Sequence, residues 1–261
     1  MSRRRCGRWA SHWATANGWR VYARVATDTP PGTGLPVVLI HGLSVSGRYL
    51  LPTATRLAAG RRVYVPDLPG FGGSEQPPTT LTIRDLADTL AAWMRAVNLQ
   101  KAALLGHSFG CQILAELALR HSECLARAIF VAPTIAPQER TAVRQIARLL
   151  LDAFREPPAL LPIVLYDYLR AGVGRTVRTL QYALQDTIER KLPQVRVPSL
   201  VIRGSYDPIV TPGWAEAVAC LLPRSRLVVI PGAAHAVPYS APGELGRVIE
   251  AFLTSRAEGD T

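Results

Sequence analysis

The sequence predicts an α/β fold with a mostly parallel central sheet and helices on both faces. Three observations predict it. Short, almost wholly apolar runs of strand length recur along the chain, as expected of strands buried on both faces. Segments with apolar residues three and four positions apart lie between them, the spacing of helices packed on a sheet. One stretch, 133–193, breaks this alternation and contains no strand-like run.

Taken in order, Trp19–Ala26 (WRVYARVA) alternates β-branched and aromatic residues with arginine and reads as the first strand. Residues 1–18 are expected to precede the fold, and DTPPGTG at 28–34 to form a turn. PVVLIHG at 36–42 and RRVYVPDL at 61–68 read as buried strands. Residues 81–99 have helical spacing at Leu86, Leu90, Trp93, Met94 and Val97, and Thr82 with Asp85 resembles a capping box. Residues 101–105 form the next strand, 109–121 a largely apolar and therefore covered helix, and 125–133 a strand ended by proline. Two further strands are expected within 198–207 and 225–235, with helices at 212–222 and 243–253.

Within the interruption, 141–154 and 176–188 read as helices and 158–169 is short and apolar. A helical insertion between two strands of such a sheet lies on the C-terminal edge, where ligands bind, so it reads as a lid. The expected organisation is a core from 1–133 and 194–261, divided by a helical lid at 134–193.

Composition bounds the function. The 261 residues are 48% hydrophobic and 19% charged, a globular balance. No apolar run nears the roughly 18 residues that span a bilayer. The arginines at the start have no apolar stretch behind them, which argues against a signal peptide and for a cytoplasmic location. Cys6, Cys111, Cys124 and Cys220 have neither CxxC nor metal spacing and read as reduced thiols. No metal motif, Walker loop or dinucleotide fingerprint occurs, so neither metal nor cofactor is expected.

The net charge is +11, nearly all from arginine, and six arginines with no acid fall in residues 1–24. No nucleic-acid motif accompanies them. They read as a solvated basic tail, for which weak contact with an anionic surface is the partner to consider.

GHSFG at 106–110 follows the strand-like run AALL and opens the apolar helix. A serine between two glycines at that junction suggests a sharp bend that exposes Ser108. An alcohol is a poor nucleophile near neutral pH and needs a base within hydrogen-bonding reach, roughly 2.6 to 3.2 Å. Histidine titrates in the right range.

With these segments in place, the chain resembles an α/β-hydrolase over nearly its whole length. GHSFG matches the G-x-S-x-G nucleophile elbow. HGLSVSG at 41–47 resembles the family's histidine-glycine oxyanion loop, and DLPGFGGS at 67–74 its Asp-x-x-Gly-x-Gly-x-Ser segment. GSYDPIV at 204–210 and GAAHAVP at 232–238 resemble its acid and histidine turns. The resemblance implies a serine-triad hydrolase with a helical cap.

Of five histidines, His12 lies in the N-terminal segment and His121 ends a helix. His107 adjoins the serine on the bend and projects elsewhere, and His41 suits loop bracing. His235, just past the last strand, remains as the base. Asp207 follows a strand and completes the order Ser, Asp, His of this fold. Asp67 is the competing carboxylate, and its glycine-rich context reads as loop architecture. The expected catalytic residues are Ser108, Asp207 and His235. The backbone N–H of Phe109 and, by family analogy, of Leu43 would form the oxyanion hole.

Three function classes follow: hydrolysis of a small to medium apolar carboxylic ester or lactone through an acyl-enzyme, carbon–carbon bond hydrolysis of a vinylogous diketone, or binding without catalysis. A diketone hydrolase would want cations beneath the lid for its dianionic substrate. The lid holds arginines, and it also holds a run of leucines suited to an acyl pocket or to the lid's own core. Natural substrate and oligomeric state stay open at this level.

Overall fold

The computed structural model describes residues 9–27 and 34–255. Cys6, the arginines from Arg3 to Arg8 and nearly all of the expected turn at 28–34 lie outside the described residues. In chain order the elements are β1 (Trp9–Ala16), β2 (Trp19–Ala26), β3 (Val37–Ile40), α1 (Leu51–Leu57), β4 (Val63–Asp67), α2 (Ile83–Ala96), β5 (Ala102–His107), α3 (Phe109–Arg120) and β6 (Leu125–Val131). Then follow α4 (Ala142–Ala153), α5 (Leu161–Ala171), α6 (Val173–Gln185) and α7 (Ile188–Lys191). The chain closes with β7 (Ser199–Gly204), α8 (Pro212–Leu221), β8 (Ser225–Ile230), α9 (Val237–Ser240) and α10 (Pro242–Thr254).

One eight-stranded sheet runs in the order β1-β2-β4-β3-β5-β6-β7-β8. The six strands from β4 to β8 along that order are parallel, while β2 pairs antiparallel with β4 and with β1. The chain steps from β3 outward to β4 and then returns to β5 on the other side of β3. The switch point of the topology therefore lies between β3 and β5, where such sheets open a crevice at their C-terminal edge.

Alternation along the central strands divides the core in two. Val38 and Ile40 of β3, with Leu104 of β5, pack under α2, α3 and α8. Val37 and Leu39, with Leu105, pack under α1 and α10. Both faces are covered, so every residue of β3, β4, β5 and β7 is buried. The capping box of α2 is present: Asp85 N–H donates to Thr82 Oγ1, and Asp85 Oδ2 accepts the Thr82 N–H at 2.9 Å.

Two expectations are corrected. The chain enters the sheet at Trp9, not Trp19, because Trp9–Ala16 pairs along its whole length with β2. α1 was also not anticipated; Pro52 is its second residue, a position in the first helical turn where proline is tolerated. Among the described residues no helix is long and apolar enough to cross a membrane.

Candidate active site

The strands bring three loops together at the switch point. The first follows β5. Ser108 has φ 54° and ψ −119°, a conformation costly for a residue with a side chain, and α3 starts at the next residue. The flanking glycines permit it. A Cβ on Gly106 would lie 2.5 Å from the Gly110 carbonyl oxygen, and one on Gly110 would lie 2.5 Å from the Ile40 oxygen. The bend holds Ser108 half-exposed while α3 presses against β3.

The other two loops follow β7 and β8. Asp207 Oδ1 accepts the backbone N–H groups of Ile209 and Val210 at 2.8 and 3.0 Å, leaving Oδ2 to face His235 Nδ1 at 2.9 Å. His235 Nε2 lies 2.9 Å from Ser108 Oγ. The structure thus joins the three side chains that sequence order grouped, across separations of 28 and 127 residues.

Burial alone would raise the Asp207 carboxyl. The facing imidazole and the two amides outweigh it and hold Asp207 below the usual carboxylate range. Burial alone would lower His235. The Asp207 carboxylate, followed by Asp152 and Glu156, overcomes it and lifts the imidazole above its ordinary value.

The remaining histidines occupy structural places. His41 Nε2 accepts the Leu68 N–H at 3.0 Å, which ties the loop after β3 to the one after β4. Burial pushes His107 down to about 3, so it is neutral. Its Nε2 faces the His235 carbonyl oxygen, which can only accept, so the proton sits on Nε2. Nδ1 then accepts from the Tyr49 hydroxyl at 2.6 Å, and that hydroxyl accepts the Gly42 N–H at 2.9 Å. A buried relay therefore runs from the loop bearing Leu43 to the loop bearing His235. His121 pairs with Asp88 at 2.7 Å, away from this site, and His12 is exposed on β1.

Asp67 braces its surroundings. Its carboxylate accepts the N–H groups of Gly47 and Gly73 and the Arg24 guanidinium, each at 2.8 Å. Gly72, at φ 51°, is required there, since a Cβ would come within 2.2 Å of Asp67 Oδ2.

Sequence reasoning missed the contribution of the inserted helices. Asp152, buried near the end of α4, accepts the His235 N–H at 3.1 Å. Glu156 accepts the Ala236 N–H at 2.5 Å, and burial pushes its carboxyl up to about 7. Arg148 and Arg155 donate to the carbonyls of Pro208 and Tyr206, on either side of Asp207. Asp167 of α5 accepts both the N–H and the hydroxyl of Ser46. No local pattern marks these residues; only their spacing within helices of unknown docking was visible.

A cavity of about 310 Å³ opens above Ser108. Leu43 and Phe109 border it beside the serine, and Leu149, Leu160, Val164 and Leu180 form much of its apolar wall. Among the described residues no lysine or arginine lines it, and Asp152 is the one carboxylate that does. Several of the insertion's arginines are engaged elsewhere: Arg140 with Glu189, Arg148 with Glu139, and Arg170 and Arg175 with the carbonyls of Gly72 and Pro77. Among the described residues no cluster of three or more His, Cys, Asp or Glu side chains is arranged to hold a metal ion.

The family model described as "Alpha/beta hydrolase family" matches residues 37–248. Among curated relatives, the dihydrolipoyllysine-residue acetyltransferase component of the acetoin cleaving system of Pseudomonas putida is 28% identical, over 84% of this chain and 64% of that protein. The 2-hydroxymuconate semialdehyde hydrolase of a Pseudomonas species is 27% identical, over 78% of this chain and 65% of its own length. The chain thus spans just under two thirds of both. Among solved structures, a thermophilic esterase from Thermogutta terrifontis with malate bound superposes with a TM-score of 0.76 at 27% identity, covering 94% of this chain and 98% of the esterase.

Proposed function

The chain belongs to the alpha/beta hydrolase family, and from that premise we propose that it is a serine hydrolase cleaving small to medium, uncharged, apolar carboxylic esters or lactones through an acyl-enzyme. In this reading residues 1–133 and 194–261 are the catalytic core and 134–193 the cap. The observation that carries it is the hydrogen-bonded series Asp207, His235, Ser108 at the floor of an apolar cavity.

The chemistry follows from the geometry. Neutral His235 donates Nδ1–H to Asp207 and takes the Ser108 proton on Nε2 as Oγ bonds to the ester carbon. The carbonyl π pair moves onto oxygen, where the N–H groups of Leu43 and Phe109 stabilise it, the latter helped by the α3 dipole. The carbonyl re-forms, the ester C–O bond breaks, and the alcohol leaves with the proton from His235. Water then repeats the sequence with His235 as base, releasing the acid and restoring Ser108.

The lining supports a neutral ester over a dianionic diketone. Among the described residues a dianion desolvated in this cavity would meet no lysine or arginine side chain and would approach Asp152. Carbon–carbon bond hydrolysis of a diketone therefore stands as the second reading.

Two measurements test the proposal. A fluorophosphonate probe should label Ser108 in the unaltered chain and leave Ser108→Ala unlabelled. Label on another serine, or none on folded protein, would reject the assignment. A panel of p-nitrophenyl esters of increasing acyl length, with lactones and a ring-cleavage diketone beside them, should show turnover of neutral esters. Turnover of the diketone alone would move the reading to carbon–carbon cleavage.

A further inference from the structure

Helices packed on a core normally turn apolar residues inward. Those of the insertion place Val164, Ala171 and Ala183 on the inner side but also turn a second set of apolar residues outward. On α4, Val143, Ile146, Leu150 and Phe154 fall at spacings of three and four and share one face, and all are exposed, Phe154 by 90%. Asp152, on the opposite face, is buried. On α5, Leu161, Leu165 and Leu169 repeat every fourth position and are exposed, while Asp167 is buried. On α6, Val173 is 81% exposed and Val177 about half, while Thr179 is buried. The buried aspartates have a reason on the inner side, where Asp152 and Asp167 accept backbone N–H groups of His235 and Ser46. Nothing within the described fold covers the outer side.

This face is continuous with the cavity. Ile146 of α4 and Val177 of α6 belong both to the exposed apolar set and to the cavity lining. Its charge is one-sided. Residues 142–185 contain three carboxylates, Asp152, Glu156 and Asp167, and none is exposed. Arg178 in the same stretch is exposed, and Arg144, Arg155 and Arg170 are exposed while each also donates to one backbone carbonyl, which leaves further guanidinium N–H groups toward solvent.

We infer that the outer face of α4, α5 and α6 docks onto an anionic phospholipid surface with the mouth of the cavity turned toward it. Exposed leucine, valine and phenylalanine enter the boundary between headgroups and acyl chains, while arginine stems lie along it and place their guanidinium groups among the lipid phosphates. A second copy of the chain fits less well. Seated symmetrically, it would set arginine against arginine and close both mouths. A lipid surface leaves the mouth open to apolar molecules dissolved in it. The inference concerns binding and stands apart from the bond the enzyme cleaves.

Co-sedimentation of the full chain with vesicles tests it. Vesicles of equal parts phosphatidylcholine and phosphatidylglycerol should carry the protein down, and phosphatidylcholine alone should do so much less. Raising the salt should weaken the first. The triple variant Val143→Ser, Leu150→Ser, Phe154→Ser, none of which lines the cavity, should partition at least tenfold less with an unchanged melting temperature. Phe154→Ser alone serves should the triple variant unfold, and should lower binding in the same direction. Binding equal to that of the unaltered chain in these variants would transfer the contact to the basic N-terminus and overturn the inference. Absence of sedimentation with either vesicle would do the same. So would a dimer in analytical ultracentrifugation that the triple variant abolishes.

Discussion

The sheet and the helical insertion use the same residue types in opposite ways. In β3, β5 and β7 the valines, leucines and isoleucines are buried, and Ser108, Asp207 and His235 lie just past the ends of β5, β7 and β8. In α4 and α5 the leucines are largely exposed and the aspartates are buried. The sheet holds its loops by packing. The insertion is fastened to them by directed polar contacts: Asp152 to His235, Glu156 to Ala236, and Arg148 and Arg155 to the carbonyls beside Asp207. A polar tether specifies position at little cost in apolar area, so the core is expected to carry stability and chemistry, and the insertion access and tuning.

The largest expected effect falls on the core. Asp207→Asn should keep the fold and reduce kcat by roughly 10⁴, because the imidazole loses its tautomer and its counter-charge. Steady-state turnover of one ester checks this. A small loss would mean that Asp152 or Glu156 can replace Asp207, and the division between core and insertion would fail.

Deleting residues 1–18 comes next. It removes β1, including Trp9, which packs against the core, and Ala16, which is buried within it. The melting temperature should fall by roughly 5 °C or more, the equivalent of about 2 kcal/mol for a chain of this size. Turnover per folded molecule should persist, since β1 lies at the far edge of the sheet from β5. An unchanged melting curve would show that the sheet is held without its edge strand.

Asp67→Asn separates bracing from chemistry. Its carboxylate gathers Gly47, Gly73 and Arg24, so the loss should be about 1 to 3 kcal/mol of stability, with kcat nearly retained. Abolished turnover in well-folded protein would exchange the assigned roles of Asp67 and Asp207.

The smallest effect belongs to the insertion. The proposed mechanism needs neutral His235, so kcat/KM should rise with pH through an imidazole titration lying above the ordinary value. Asp152 contributes to that elevation after Asp207, and Asp152→Asn should move the rising limb to lower pH by less than about one unit. A pH–rate profile of both proteins measures it. A limb that does not move would make Asp152 a structural tether alone.

Local pattern was enough for much of this molecule. Strands buried on both faces must be continuously apolar, helices between them must repeat at three and four, and Thr82 with Asp85 caps a helix from within four residues. Gly106 and Gly110 could be read beside Ser108 because the collisions they avoid involve the bend itself and the neighbouring strand. The order of serine, acid and histidine, each just past a strand, then named the residues that the fold brings together, Ser108 and Asp207 each 2.9 Å from a ring nitrogen of His235. Other features were decided only in three dimensions. WASHWATA has only small or polar residues between and after its tryptophans, with Thr15 as its one β-branched residue, and becomes a strand by pairing along its whole length with β2. The roles of Tyr49 and His107 depend on contacts 58 and 128 residues away in sequence. The apolar stripe of α4 was legible as a stripe, but its direction was not. Periodicity tells that a helix has two faces, and which face turns inward depends on what meets it; here it was the backbone N–H of His235, whose hydrogen bond Asp152 accepts.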